Sequence, residues 1–223
     1  MKKQEKVISR RQMLEMSLGI GSLAALGSSI FAQQAGRLLT PEVDMGPFYP
    51  MLKPLDKDAD LTQIAGSKTR AAGKIVHVTG RVLNEKGEPV KNAKIEIWQA
   101  NAEGRYSHPA DPNTAPIDSN FQGYGIITTD AEGRYRFKTV KPGAYPVNAD
   151  WTRPPHIHLD VSGKIDRLVT QMFFPDEPLN AKDRILLDLG SGKESAVARL
   201  LSPTKEIERE AMLLAWDIVL AKG

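Results

Sequence analysis

The chain of 223 residues is 41% hydrophobic and 26% charged, which is typical of a globular protein long enough for one sizeable domain. Its formal net charge is +3, and no basic block or basic stripe with interleaved aromatics occurs, so the sequence predicts no nucleic-acid partner. The absence of cysteine excludes disulfides, thiolate metal sites and a cysteine nucleophile.

The N-terminal segment has the pattern of an export signal. A mostly apolar or small-residue run at 14–32 follows five basic residues, Lys2, Lys3, Lys6, Arg10 and Arg11. SRRQML at 9–14 resembles the twin-arginine motif of bacterial Tat signals. We therefore expect residues 1–35 to be a cleaved Tat-type signal that engages the Tat translocase, followed by a periplasmic or secreted domain at 36–223. Two alternative interpretations of this segment stay open, namely an ordinary basic signal and an uncleaved anchor.

The rest of the chain consists of predicted short strands separated by turns. TPEVDMGPFYP at 40–50 has three prolines and a glycine, which predict an extended arm rather than a helix. Alternating or β-branched runs predict strands at 75–83, 93–99, 124–129, 134–139, 156–161 and 168–174. DAEG at 130–133 is a strong hairpin signal. Helices are expected only at 194–201 and 204–214, and WDIVL at 216–220 predicts a closing strand. The predicted fold is therefore all-β, an antiparallel β-sandwich with short helical additions and long loops.

Two histidines separated by one residue, His156 and His158, lie within a predicted strand. Side chains alternate along a strand, so both imidazoles face one side while Ile157 faces the other, packed side. Imidazole suits Zn, Cu, Ni and Fe, and the remaining ligands decide between them. Asp160 extends the same face and could supply a carboxylate. A His-x-His pair alone is weak support for a metal site, because strand histidines are often satisfied within the fold.

Tyrosine is the more informative candidate ligand. A neutral phenol, with an ordinary pKa near 10, binds metals poorly, but a strongly Lewis-acidic cation holds it as phenolate. Tyr106 follows the strand predicted at 93–99, and Tyr145 lies in a loop framed by prolines. Taken singly, either tyrosine is more often a packing residue with a hydrogen-bonded hydroxyl.

Four further polar residues have open roles. Arg153, just before the histidine pair, either forms a salt bridge or stabilises negative charge on a substrate. Gln171 on the neighbouring predicted strand is similarly open. His77 lies between two valines on a strand, which favours a structural role, and His108 is close enough to Tyr106 in sequence to line a pocket.

Longer stretches carry a resemblance to a known family. They are TPEVDMGPFYP at 40–50, VTGRVLNEKGEPVKNAKIEIWQANAEGRYSHPAD at 78–111, NFQGYGIITTDAEGRYRFKTVKPGAYP at 120–146, RPPHIHLDVSG at 153–163, LVTQMFFP at 168–175 and WDIVL at 216–220. The chain resembles the intradiol ring-cleavage dioxygenases, most closely the protocatechuate 3,4-dioxygenase subunits, over nearly all of residues 36–223. The combination of WQAN…GRY, KPGxYP, RPxHIH and TQMFF is specific.

The resemblance implies a mononuclear non-haem Fe(III) centre with four protein ligands, Tyr106, Tyr145, His156 and His158. Arg153 and Gln171 fall on the family's pocket residues and would stabilise negative charge that develops on the substrate. Tyr145 would leave the metal when substrate binds and help to accept a catechol proton. The implied reaction uses O2 to open a catechol-type ring (protocatechuate-like, catechol or hydroxyquinol) between its two hydroxyls, giving a cis,cis-muconate.

Departures from the family leave the substrate and the assembly open. The N-terminal helical region of catechol 1,2-dioxygenases has no room between residues 36 and 75, which favours the protocatechuate-like architecture. Protocatechuate enzymes combine two different subunits in the cytoplasm, so a single exported chain leaves the preferred catechol and a homo-oligomer open. Two other interpretations are a non-catalytic transthyretin-like β-sandwich binding module, suggested by the hairpin at 80–97, and the same fold holding another metal such as zinc. The binding module would not need the two tyrosines and two histidines together, and two tyrosines among four ligands disfavour zinc.

Overall fold

The computed structural model describes residues 37–223, so the export signal predicted at 1–35 lies outside the described residues. Among the described residues, no helix has the length and apolar character needed to span a bilayer. The strands are β1 (Ile75–Asn84), β2 (Lys94–Trp98), β3 (Tyr124–Thr128), β4 (Arg134–Val140), β5 (Tyr145–Asn148), β6 (Trp151–Arg153), β7 (His156–Ser162), β8 (Arg167–Phe173), β9 (Arg199–Leu201), β10 (Met212–Ala215) and β11 (Ile218–Leu220). The α-helices are α1 (Arg184–Asp188) and α2 (Lys193–Ala196), with 3-10 turns at Pro178–Lys182 and Gly190–Gly192.

Strand β1 is the centre of a five-stranded mixed sheet. It pairs antiparallel with β4 on one side and parallel with β10 and then β11 on the other, while β9 extends the sheet beyond β10. Between β10 and β11 the chain crosses over Gly80 so closely that an added Cβ would collide with the Trp216 carbonyl, and only glycine fits there. The Tyr135 hydroxyl donates to the same carbonyl at 2.6 Å, which fixes the crossing point.

The second large sheet is antiparallel, in the order β3-β2-β7-β8. Its register places Trp98 on β2 and Gln171 on β8 directly beside His158 on β7. Strands β5 and β6 form a separate two-stranded ribbon that pairs Tyr145 with Arg153. Strand pairing therefore places His158 beside Gln171 on the sheet and Tyr145 beside Arg153 on the ribbon.

The main hydrophobic core joins inward side chains from both large sheets. On β7, Ile157, Leu159 and Val161 alternate into this core and are fully buried, as are Ile95 and Ile97 on β2. Burial of each such side chain contributes about 1.5–3 kcal/mol. The all-β sandwich prediction is confirmed, with one refinement. The sheet around β1 is mixed, because the C-terminal strands run parallel to β1.

The helices expected at 194–201 and 204–214 are wrong. Helix α2 ends at Ala196, and the apolar residues that follow form β9 and β10 instead. Leu214 is fully buried and pairs in register with Leu200 of β9. Backbone pairing to the central strand and burial of apolar side chains therefore outweigh the local helical pattern in this region. The closing strand expected at 216–220 is present as β11.

Candidate metal centre

The candidate site lies on the face of β7 that points away from the main core. His156 and His158 project from this face, because the residue between them turns into the core. Tyr106 comes from the loop that follows β2, and Tyr145 is the first residue of β5. Pairing of β5 with β6 places Tyr145 opposite Arg153. All five side chains are at least nine-tenths buried.

The donor atoms of three of these residues meet at one point. His158 Nε2 lies 3.0 Å from the Tyr106 hydroxyl and 3.2 Å from His156 Nε2, and the Tyr106 hydroxyl lies 3.4 Å from His156 Nε2. The Tyr145 ring completes the group, with its centroid 5.6 Å from that of Tyr106 and 5.7 Å from that of His156. Ligands held at about 2.0–2.1 Å around one metal ion stand about 3 Å from one another, so the spacing matches a shared ion.

The two histidines are held in the neutral form that binds metals. Burial, reinforced by the nearby charge of Arg153, lowers the pKa of His156 well below its ordinary value and that of His158 to about 3. His156 Nδ1 lies 2.7 Å from the Pro154 carbonyl and donates its proton there, so its Nε2 carries a lone pair. No sequence pattern predicts this backbone acceptor.

The two phenols are protonated unless a cation replaces their protons. Burial is the main reason that the pKa of Tyr106 lies well above 10, and the neighbouring Tyr145 raises it further. Burial also raises the pKa of Tyr145, although the charge of Arg153 opposes this rise. Because two neutral imidazoles and two protonated phenols are buried together, a strongly Lewis-acidic ion that displaces the phenol protons and binds phenolate fits the donor set. Two hard anionic oxygens favour Fe(III) over Fe(II).

Within residues 37–223, no group of three or more His, Cys, Asp or Glu side chains is arranged to hold a metal. The candidate centre is compatible with that result because half of its donors are tyrosines. Asp160, which the sequence analysis considered as a further carboxylate ligand, is turned to another partner. Its carboxylate accepts two hydrogen bonds from Arg167, at 2.9 and 2.8 Å.

Arg153 is fixed beside the site by buried partners. Its Nε donates to Asp183 at 2.9 Å and one of its terminal nitrogens donates to the Gln171 side-chain carbonyl at 2.6 Å. Asp183 is fully buried and also accepts from the Trp151 indole at 3.1 Å. The Gln171 amide donates to the Asp44 backbone carbonyl at 3.1 Å. The structure therefore brings the two predicted pocket residues together and adds Asp183, which the sequence analysis missed.

Aromatic rings and the arm (residues 40–50) cover the candidate ligands. The indole of Trp98 stacks on the His158 ring, with centroids 4.9 Å apart and planes 12° apart. Phe48 of the arm packs on Tyr106, at a centroid distance of 4.7 Å. Gly46 lies so close to His158 that an added Cβ would be 3.3 Å from its Cε1 atom. The sequence motifs include these residues but do not predict how they pack on the ligands.

The other two histidines lie outside the donor set. His77 Nε2 pairs with Glu208 at 2.6 Å and its Nδ1 lies 3.3 Å from Arg136, in line with the structural role expected from sequence. His108 lies near the arm, with its ring centroid 5.9 Å from that of Phe48.

Comparisons with known proteins show the family of this chain. A family model described as Dioxygenase matches residues 45–222. The protocatechuate 3,4-dioxygenase beta chain of Burkholderia cepacia is 48% identical over 184 residues, which cover 79% of this chain and 73% of that protein. The hydroxyquinol 1,2-dioxygenase of Rhizobium sp. (strain MTP-10005) is 36% identical over 127 residues, or 51% of this chain, and the match spans only 42% of that relative.

Solved structures share the fold at lower sequence identity. A hydroxyquinol 1,2-dioxygenase from Pseudomonas putida DLL-E4 matches with a TM-score of 0.65 and 22% identity, over 98% of this chain and 77% of that one. An intradiol ring-cleavage dioxygenase from Tetranychus urticae matches with a TM-score of 0.63 and 20% identity, over 83% of this chain and 95% of that one. At such identities these likenesses show the fold alone.

Proposed function

Because this chain belongs to the intradiol ring-cleavage dioxygenases, we propose that it opens the ring of a catechol-type aromatic with O2 at a mononuclear ferric centre. The observation that carries the proposal is the convergence of the Tyr106 phenol and two neutral imidazoles at one buried point, with the Tyr145 ring packed beside them. The family depends on non-haem iron. Membership of an enzyme family also argues against the alternative interpretation, a non-catalytic binding module.

The proposed ligands are Tyr106, Tyr145, His156 and His158. A bound ferric ion would supply a Lewis acid that draws electron density from a chelating catechol and makes its ring reactive towards O2. In the overall reaction one catechol and one O2 give one cis,cis-muconic acid. The carbon–carbon bond between the two hydroxyl-bearing carbons breaks, and each of these carbons gains one oxygen atom. No external reductant is consumed.

Tyr145 is the proposed acceptor of a substrate proton. It is 8% exposed, whereas the other three candidate ligands are 2–3% exposed, and it belongs to the β5–β6 ribbon rather than to the large sheet. It is therefore the donor that can move with the least disturbance of the packing. With iron bound, Tyr145 would be a phenolate, and its oxygen would take the proton of one catechol hydroxyl as the substrate enters and become a neutral phenol.

Arg153 and Gln171 are the proposed stabilisers of negative charge. The hydrogen bonds to Asp183 and Gln171 hold the guanidinium at the β6 end of the site before substrate arrives. A group fixed in this way loses no reorganisation energy during the reaction, and removal of such a group commonly costs about 2.7–4 kcal/mol of barrier. Phe48 and the rest of the arm would exclude water from the substrate ring.

The nature of the catechol is also a proposal. Relatives carry the names protocatechuate 3,4-dioxygenase, hydroxyquinol 1,2-dioxygenase and catechol 1,2-dioxygenase. The matching B. cepacia protein is called a beta chain, which indicates an assembly of several chains. We also propose that the present chain forms a homo-oligomer. Sedimentation velocity measures its oligomeric state.

Iron loading and O2 uptake test the proposed function. We expect the ferric protein to be burgundy-red, because tyrosinate-to-iron charge transfer absorbs visible light. We also expect it to consume one O2 per catechol, protocatechuate or hydroxyquinol that it cleaves. Product absorbance separates intradiol from extradiol cleavage. A folded, iron-loaded protein that stays colourless would sink the proposal.

A matched pair of variants locates the chemistry. Tyr145→Phe should shift the visible band and lower activity, because a phenol donor is lost. Tyr135→Phe removes the hydroxyl of another buried tyrosine, which binds the Trp216 carbonyl outside the site, and should leave the band in place. An unshifted band in Tyr145→Phe would remove Tyr145 from the proposed ligand set.

Export is proposed on the sequence of residues 1–35 alone, with the Tat translocase as partner and a periplasmic or secreted destination. Replacing Arg10 and Arg11 together by lysine should retain the protein in the cytoplasm, whereas the parent should appear in the exported fraction with a shortened N-terminus. Export of the double-lysine variant would argue for a route other than Tat.

A further inference from the structure

A buried carboxylate outside the donor set joins the arm to the sheet that carries the candidate ligands. Glu96 lies on β2 and is only 3% exposed. Its carboxylate accepts hydrogen bonds from the Tyr49 hydroxyl at 2.7 Å, from Lys53 Nζ at 2.7 Å, from the Tyr124 hydroxyl at 2.5 Å and from Lys94 Nζ at 2.8 Å. Three of these donors meet Oε2 and Lys94 meets Oε1, so the carboxylate has as many donors as a carboxylate has acceptor positions, about four.

The donors come from different parts of the chain. Tyr49 belongs to the arm and Lys53 lies three residues beyond it, whereas Tyr124 begins the neighbouring strand β3. Burial alone would raise the pKa of Glu96, but the hydrogen bonds from Lys53, Lys94 and the two tyrosines hold it well below its ordinary value. The carboxylate is therefore an anion at neutral pH and ties down the end of the arm.

Tyr49, which binds Glu96, also connects the arm to two candidate metal ligands through neighbouring aromatic side chains. Glu96 and Trp98 are two positions apart on β2, so their side chains leave the same face of the strand. The Tyr49 ring meets Trp98 edge-on, with centroids 5.0 Å apart and planes at 88°. Trp98 in turn stacks on His158, and Phe48, the neighbour of Tyr49, packs on Tyr106. Movement of Tyr49 would therefore reach both a proposed imidazole ligand and a proposed phenol ligand.

We propose that Glu96 is a positioning residue, which anchors the arm through Tyr49 and Lys53 and thereby fixes Trp98 and Phe48 against the metal ligands His158 and Tyr106. The inference rests on the proposed function for its catalytic consequence. The anchoring itself is a property of the protein without metal. These two parts are separated by different measurements.

Asp160 provides a matched control. It is a second buried carboxylate, 5% exposed, and it stands directly opposite Glu96 in the register of β2 and β7. Its hydrogen-bond partner is Arg167 and not the arm. Glu96→Gln and Asp160→Asn thus remove the same charge from adjacent positions on one sheet, and only the first touches the arm.

The first measurement is amide hydrogen exchange over residues 40–53 in the full-length protein without metal. In Glu96→Gln we expect exchange of these amides to accelerate by about tenfold or more, the factor that corresponds to one hydrogen bond to a charged group. In Asp160→Asn the same amides should keep the rates of the parent. Equal rates in the two variants would overturn the anchoring role. If the parent binds no iron, the proposed function fails on its own while this measurement still decides the anchoring.

The second measurement is made on the iron-loaded protein. We expect Glu96→Gln to shift the visible band and to raise KM for the catechol that the parent cleaves by about tenfold, while kcat changes by less than about threefold. KM should change more than kcat because the arm orders the pocket but does not touch the reacting atoms. Asp160→Asn should leave both the band and KM unchanged. Faster exchange without a band shift or a change in KM would reduce Glu96 to a structural residue and overturn the positioning role.

Two single-contact variants cover the case in which Glu96→Gln does not fold. Tyr49→Phe removes one hydroxyl, and Lys53→Met removes one ammonium whose side chain is 39% exposed, so both changes are mild. Both variants should accelerate amide exchange within residues 40–53. Both should also shift the visible band, and in the same direction. If neither variant changes the exchange of the arm, the anchoring role is wrong.

Discussion

Replacing Asp183 by alanine should destabilise the protein far more than the loss of a surface charge. Asp183 is fully buried and Arg153 is 5% exposed at its side chain, so the substitution leaves a buried guanidinium without its counter-ion. Breaking a buried pair in this way costs about 3–5 kcal/mol. Asp183 also accepts a hydrogen bond from the Leu186 amide at 3.2 Å and so caps helix α1, which contributes about 1 kcal/mol. We expect a total loss of about 4–6 kcal/mol in the free energy of unfolding.

Urea denaturation of the metal-free protein, followed by circular dichroism, measures this loss. The control is Asp130→Ala, because Asp130 pairs with Arg134 at 2.8 Å, close to the 2.9 Å of the buried pair, but its side chain is 43% exposed. The comparison therefore varies burial at nearly constant distance, and surface pairs contribute little. A loss from Asp183→Ala no larger than the loss from Asp130→Ala would refute the assignment of a buried, charge-paired Arg153.

Other substitutions test other contacts. Gly46→Ala should lower the melting temperature more than Gly66→Ala, since both glycines have a positive φ (73° and 81°) but only the first would contact His158, and equal shifts would contradict that contact. Trp98→Ala should cost about 3–5 kcal/mol in urea denaturation, because it empties a fully buried site, and should shift the visible band of the ferric protein. The lowered pKa of Glu96 contributes stability that is present above the ordinary glutamate pKa of 4.5 and is lost as pH falls below it. Melting temperatures below about pH 4.5 should therefore fall less steeply in Glu96→Gln than in the parent, and parallel pH profiles would refute this reasoning.

Local patterns in the sequence predict most of the strands. Alternation of apolar and polar residues is a short-range property, so β1, β2, β4 and β7 are recognisable without any knowledge of the fold. The C-terminal segment defeats the same reasoning, because β10 forms by pairing with β9 and with β1, which lies more than a hundred residues earlier. The β5–β6 ribbon is missed for a related reason, since its few residues are too short to show a period.

Some residues of the candidate site can likewise be predicted from local sequence patterns, and others cannot. His156 and His158 stand out as a pair, and Tyr106 and Tyr145 acquire meaning only through motifs of a family. Asp183 carries no such signal, because it precedes a short helix thirty residues from the arginine that it neutralises.

The parallel pairing of β1 with β10 and β11 has a consequence for the order of folding. The sheet that carries the candidate ligands takes all its strands from residues 94–173, whereas the other sheet needs partners from residue 75 to residue 220. Closing so long a loop delays the pairing of β1 with β10 and β11, because high contact order slows folding. We therefore expect the ligand-bearing sheet to form first during synthesis. The edge of β1 that pairs with β10 and β11 should stay unpaired until these last strands have left the ribosome.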